Sequence, residues 1–278
     1  MVKTFPDGHF YSPIPDTDSI LSSKFKDQFD GALLINNSQL EVDAKAVFSF
    51  SSELTSLVDS NSTRFEWNND QFPPADAFAY YGMLRQLKPK KILEIGSGFS
   101  TQVAIEAVKK NEVGTITCIE PYPRDLLKEN TQITLIESIL QDVGDDIFSS
   151  LDAGDILFID SSHQVKCQSD VLDIFFRVLD LIKPGVFIHV HDIFFPDDYP
   201  EIWLKENGVF FNEQYFLLAF LKDNLKYRVC HPNAYIVRKK RDFYEAIMLN
   251  NHINGDDSFV NPIHGFIKAG SFWIEKTG

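Results

Sequence analysis

The sequence predicts an α/β fold: a doubly wound, mostly parallel seven-stranded sheet closed by an antiparallel hairpin, preceded by an N-terminal extension. Three observations predict it. From Ala75 onward, short apolar, β-branched runs alternate with stretches of helical periodicity, the pattern of parallel strands linked by crossing helices. The run Lys91-Ile92-Leu93-Glu94-Ile95-Gly96-Ser97-Gly98-Phe99-Ser100-Thr101 reads as a strand, a tight glycine turn and the start of a helix. The last two strand-like runs, Tyr227–Cys230 and Ala234–Lys239, are separated only by His231-Pro232-Asn233, and so short a connection requires antiparallel partners.

The elements follow in order. Residues 1–74 are rich in Ser, Asn, Asp and Phe, carry several prolines and show no βα alternation; they read as an extension or cap with a short helix around Asp43 to Asp59. Ala75 to Leu87 is a helix leading into the strand Lys91–Ile95. Helix Thr101–Lys110 and strand Thr115–Glu120 come next, then a short helix near Asp125, strand Ile133–Ile136 and a short helix near Asp142–Ser149. After strand Asp155–Asp160, residues Val171, Ile174, Phe175, Val178 and Leu181 or Ile182 recur at helical spacing until Lys183-Pro184-Gly185 stops the helix. Strand Val186–Val190, helix Glu213–Asn224 and the closing pair of strands complete a core over 75–240. Residues 241–278 are expected to form a helix and a tail packed on that core.

Composition narrows the function. A chain of 278 residues, 44% hydrophobic, supports one substantial α/β core with additions. No apolar run approaches the length of a membrane span, and the first residues lack the apolar centre of a signal peptide. Three widely spaced cysteines read as free thiols in a reducing compartment, the cytoplasm. The net charge of −14 argues against nucleic acid or an anionic membrane as partner. A small-molecule substrate is expected, and self-association into a homo-oligomer stays open.

The chemistry concentrates at strand ends, where doubly wound sheets place their ligands. Gly96 and Gly98 let a ligand approach the main chain, and Glu120, closing the second strand, is placed to accept hydrogen bonds from ribose hydroxyls. No third glycine completes a dinucleotide fingerprint, which disfavours NAD. The fourth strand ends in Asp160-Ser161-Ser162-His163 and the fifth in His189-Val190-His191-Asp192. Asp160, His191 and Asp192 form a mixed oxygen and nitrogen set suited to a divalent cation; the alternative is that both aspartates cap turns or helices. His189 and Cys118 read as core residues. The loop Phe194–Trp203 and the segment Gly8–Pro13 read either as walls over the cleft or as ordinary aromatic packing.

The pattern Glu94-x-Gly96-x-Gly98-x-Ser100 resembles motif I of class I S-adenosylmethionine (SAM) methyltransferases, and the predicted sheet resembles the Rossmann-like topology of that superfamily over about Ala75 to Lys240. The resemblance implies SAM held by Glu94, Gly96, Ser97, Gly98, Ser100, Glu120 and Asp160, with Gln141 on the adenine side. Phe158-Ile159-Asp160-Ser161-Ser162-His163 with His191-Asp192-Ile193 is similar to a bacterial branch of uncharacterised class I methyltransferases. The glycine turn and strand ends also resemble, in part, the metal-dependent catechol and caffeoyl-CoA type O-methyltransferases. That likeness implies Mg²⁺ or another divalent metal on Asp160, His191 and Asp192, and a base at His163, where the family has a Lys. Two histidines thus replace a carboxylate ligand and the family's base, and a His ligand tilts the choice of ion away from pure Mg²⁺. The expected activity is O-methylation of a small-molecule hydroxyl, with His163 and His191 catalytic. Two alternatives stand beside it. One is a non-catalytic SAM- or nucleotide-binding module. The other is a non-haem metal enzyme using Asp160, His163 and His191 as a two-His, one-carboxylate site.

Overall fold

Ile92, Leu93, Glu94 and Ile95 are all buried, as a strand covered on both faces must be. They form β1 (Lys91–Ile95) at the middle of the sheet in the computed structural model. The structure describes residues 4–18, 37–67, 69, 71–239, 260–261, 266–267 and 269–278. β2 (Thr115–Ile119) and β3 (Thr134–Ile136) lie on one side of β1, β4 (Ile156–Ile159) and β5 (Phe187–Val190) on the other, all parallel. β6 (Tyr227–Pro232) and β7 (Phe272–Lys276) complete the order β3-β2-β1-β4-β5-β7-β6, with β7 antiparallel to both its neighbours.

The seven-stranded, mostly parallel sheet matches expectation; the identity of its last strand does not. Ala234–Lys239, expected as the hairpin's second strand, lies within a helix, Asn233–Lys239. The antiparallel strand comes instead from Phe272–Lys276, expected as tail, which inserts between β5 and β6. The physical reason is the ambiguity of a short apolar run: Ala234-Tyr235-Ile236-Val237 buries all four side chains equally well on a helix. The core therefore extends past 240 to include 272–276. Of 241–278, where a helix and a packed tail are expected, residues 241–259, 262–265 and 268 lie outside the described residues. Asp43–Asp59, expected as one helix, is two, Asn37–Phe48 and Ser51–Asp59. Both pack through Val47, Phe48 and Leu54 on helix Pro74–Leu87. Contact there is backbone to backbone, since a Cβ on Gly82 would stand 2.1 Å from the Val47 carbonyl oxygen.

Helices Pro74–Leu87 and Phe99–Asn111 cover one face of the sheet. The helical segment 170–181, whose middle turns widen into π geometry, and helix Glu213–Leu221 cover the other. A register row crosses six strands on the first face: Cys118, Glu94, Phe158, His189, Trp273, His231. Cys118 and His189 are core residues, as expected. His189 is fully buried, stacks on Phe158 at 4.0 Å and shares a 2.9 Å hydrogen bond with Ser271 Oγ. Burial holds its imidazole well below the usual range. Neighbours of β1 connect in opposite directions, so the chain opens a crevice at the ends of β1 and β4.

Candidate active site

Gly96 leaves β1 with φ +77, donating its N–H to the Ile119 carbonyl at 2.9 Å; a Cβ there would lie 1.9 Å from the Asp160 carbonyl oxygen. Only glycine lets the ends of β1 and β4 pass this closely. Gly98 serves differently. Its backbone is extended, and a Cβ would meet nothing within 4 Å.

Two chambers meet over this turn. One, of about 380 Å³, is lined by Ile119, Glu120, Ile139, Leu140, Gln141 and Asp160. The other, of about 490 Å³, is lined by Ser97, Arg124, His191, Asp192, Trp203 and Phe211 among others. Gly96, Glu120 and Asp160 border both. The Glu120 carboxylate accepts N–H groups from Ser97 (3.2 Å) and Tyr122 (2.9 Å), which fix it with lone pairs to spare for hydroxyl donors. Arg124 lies over the Phe99 ring at 5.4 Å, at the first residue of helix Phe99–Asn111, where negative charge is favoured. An open space beside Gly98, a braced ribose-type acceptor and a cation at a helix start fit an extended adenosyl and amino-acid ligand.

Among the residues expected to touch the cofactor, Glu94, Gly98 and Ser100 line neither chamber, and Gln141 lines one with its amide already engaged. Glu94 is buried on the opposite face, where its carboxylate accepts from Tyr80 OH at 2.9 Å and Thr101 Oγ1 at 2.5 Å. Thr101 Oγ1 in turn accepts the Gly98 N–H, so Glu94 shapes the turn from behind and does not line the cleft. Burial pushes Glu94 up to about 7, against the pull of these hydrogen bonds. Ser100 is buried in the first helical turn and lines neither chamber. Gln141 lines the smaller chamber, with its amide N–H donated to the Gln168 carbonyl at 2.9 Å.

Beyond Asp160 the chain doubles back. His163 and Asp192, both non-glycine residues at φ 56, aim their side chains at one point. His163 Nε2 lies 3.2 Å from Asp160 Oδ1 and 3.5 Å from Asp192 Oδ2, and one donor atom from each of the three residues falls within 4.8 Å of the others. The converging set is thus Asp160, His163 and Asp192, where the sequence suggested His191. His191 is drawn back because its Nε2 is held by Asp76 at 3.3 Å; its Nδ1 stands 3.6 Å from Asp160 and 3.5 Å from Asp192, and the residue borders the larger chamber.

Neither Asp76 nor Glu213 was singled out from the sequence. Asp76 is fully buried and accepts from Gly270 N, Ser271 N, Asn233 Nδ2 and His191 Nε2. Glu213, also fully buried, accepts from His163 Nδ1 at 2.8 Å. Asp76 carried a signal, a lone carboxylate in the buried helix Pro74–Leu87; Glu213 read as an ordinary first-turn acid. Burial alone would lower His163, but hydrogen bonds to Asp160 and Glu213 push it up to about 10. Burial likewise opposes a charged His191, which Asp192 and Asp160 nevertheless hold well above the usual range. Asp160 is kept well below the carboxylate range, despite burial, by the His191 and His163 charges.

The aromatic loop divides its labour. Phe194, Phe195 and Tyr199 are buried, while Trp203 lines the larger chamber with Val209 and Phe211. Phe211 packs on the His163 ring at 4.7 Å. No residue of 4–18 lines either chamber.

Residues 93–193 match a family model described as a methyltransferase domain. They run from β1 through the glycine turn, Glu120 and Asp160 to Asp192, the span that builds the site. That span is therefore a methyltransferase domain. An uncharacterized protein of Archaeoglobus fulgidus is 33% identical over 166 residues, 54% of this chain and 75% of that protein. Solved structures similar to this methyltransferase include the plantazolicin methyltransferase BpumL in complex with SAH (12% identity, 94% of each chain, TM-score 0.44). Another is the O-methyltransferase TomG from Streptomyces achromogenes in complex with SAM (16% identity, 92% of this chain and 97% of that one, TM-score 0.41). Among the described residues of the methyltransferase, no helix is long and apolar enough to cross a membrane.

Proposed function

We propose that this methyltransferase transfers the methyl group of SAM to a hydroxyl oxygen of a small molecule, assisted by a divalent cation. One observation carries the reading: Asp160 borders both chambers and belongs to the converging Asp160–His163–Asp192 donor set, so a hydroxyl brought to those donors lies beside the cofactor. Bound SAM supplies the activated methyl, and a bound cation supplies positive charge that favours the deprotonated hydroxyl.

The chain's own residues do the rest. Glu120 holds the ribose hydroxyls, and Arg124 faces the carboxylate of the amino-acid end. Asp160 and Asp192 hold the cation. Trp203 and Phe211 give the acceptor a flat apolar wall, which keeps its hydroxyl in line with the sulfonium and excludes water. The His191 Nε2–H donates to Asp76, which keeps the ring aimed; with a cation on Asp160 and Asp192, whose charge otherwise keeps this imidazole protonated, its Nδ1 would accept the hydroxyl proton. A cleft with three carboxylates and one arginine suits a small hydroxylated acceptor and repels nucleic acid. Three cysteines free of disulfides fit a cytoplasmic enzyme.

The test is turnover of SAM against a panel of phenols, catechols and sugars, with product mass and NMR locating the methyl. Formation of an O-methyl ether that needs added divalent metal supports the reading. Methylation on nitrogen or carbon, or equal turnover after exhaustive chelation, would oppose it.

A further inference from the structure

The resemblance implied His163 as a base and His191 as both a catalytic residue and a metal ligand, with His163 a ligand only in the two-His, one-carboxylate alternative; the distances favour His163 as the ligand. We propose that His163 Nε2 is itself a ligand, that Asp160, His163 and Asp192 select a nitrogen-accepting divalent ion such as Mn²⁺, Fe²⁺ or Zn²⁺ over Mg²⁺, and that buried Glu213 is the positioning residue that orients this imidazole. The inference deepens the proposed metal-assisted methyl transfer and rests on its cation site.

His163 Nε2 converges with both aspartates, while His191 Nδ1, at 3.6 and 3.5 Å from them, falls outside the converging set. Donors around an ion with bonds of ~2.1 Å stand ~3.0 Å apart in an octahedron and ~3.4 Å apart in a tetrahedron. The His163 Nε2 distances to Asp160 and Asp192, 3.2 and 3.5 Å, lie close to those values. Metal-bound histidines almost always donate their second ring N–H to a carboxylate or carbonyl, which fixes the tautomer and leaves the other nitrogen free to coordinate. His163 Nδ1 has such a partner in Glu213 Oε2 at 2.8 Å, on a side chain with no solvent exposure. Glu213 is itself anchored. Ser161 Oγ donates to it at 3.3 Å, and the backbone N–H groups of Asn212 and Glu213 donate to the His163 carbonyl at 3.1 and 3.3 Å. The start of helix Glu213–Leu221 is therefore tied to the His163 loop through both main chain and side chain. Phe211 closes the ring from one side. An imidazole in the set favours later divalent ions, because Mg²⁺ prefers an all-oxygen shell.

The test uses the full chain and Mn²⁺ alone. Wild-type protein is titrated with Mn²⁺ by electron paramagnetic resonance, and pulsed spectra report any ¹⁴N coupling from a coordinated imidazole. The expected result is one site with a ¹⁴N coupling that survives His191→Gln and disappears in His163→Gln. Glu213→Gln should weaken Mn²⁺ roughly 10–100-fold. A Mn²⁺ site without ¹⁴N coupling in the wild type, which no folding defect can mimic, would overturn the proposal. So would a coupling that persists in His163→Gln, or unchanged Mn²⁺ affinity in Glu213→Gln. SAM titration calorimetry on the same samples separates the two readings: missing ¹⁴N coupling with intact SAM binding counts against the ligand assignment alone. Absent SAM binding in the wild type counts against methyl transfer.

Discussion

Replacing Glu94 by Gln should make the protein's stability less dependent on pH. Burial raises this carboxyl from 4.5 to about 7 in the fold, so folding favours its protonated form. Its contribution is fully present below ~4.5 and is lost as pH rises through about 7. At ~1.4 kcal/mol per pH unit, the whole swing is ~3 kcal/mol. About 2 kcal/mol of it falls between pH 5.5 and 8.5, a window that avoids the acidic isoelectric region of a chain with net charge −14. Gln cannot ionise, and whatever constant cost its amide brings against Tyr80 and Thr101 cancels when the two pH values are compared. Urea unfolding of wild type and Glu94→Gln at both pH values gives the double difference. The variant should gain ~2 kcal/mol on the wild type from pH 5.5 to 8.5. Parallel stability curves would refute the placement of Glu94 as a buried residue behind the turn.

The two glycines should separate fold from binding. Gly98→Val should melt like wild type, since the position is extended and open, yet lose SAM binding by more than about tenfold; Gly96→Ala should cost more than ~3 kcal/mol of stability in denaturant titration. Asp76→Ala should destabilise by ~3–5 kcal/mol in the same assay, because it strips four donors of a fully buried carboxylate. Exhaustive chelation should abolish methyl transfer and leave SAM affinity by calorimetry within about twofold, since Glu120 and the glycine turn make no use of the cation's donors.

What the sequence made legible was local. The glycine turn and Glu120 declare themselves because strand, turn and acid recur at βαβ spacing within thirty residues or so. Asp160 and Asp192 were legible because strands β4 and β5 end in them. The partners of those residues were not, since they come from far along the chain: Glu213 lies 50 residues from His163, and Asp76 lies 115 residues from His191. Those pairings set which ring nitrogen of each histidine is left to face the aspartates. Which imidazole converges with the aspartates depends on which carboxylate holds its far nitrogen, and no spacing encodes that. The seventh strand failed for a related reason. Phe272–Lys276 follows a long intervening stretch and inserts between β5 and β6, whereas the nearer run Ala234–Val237 satisfies its apolar character on a helix.

The most direct measurement is calorimetric titration of SAM into wild type and Glu120→Ala, with NAD as control. Wild type should bind one SAM and show no heat with NAD. Loss of the braced carboxylate should weaken SAM by ~2–3 kcal/mol, the range for hydrogen bonds to a charged group. Equal SAM affinity in the two proteins, or binding of NAD in place of SAM, would contradict the placement of the cofactor across Glu120 and the glycine turn.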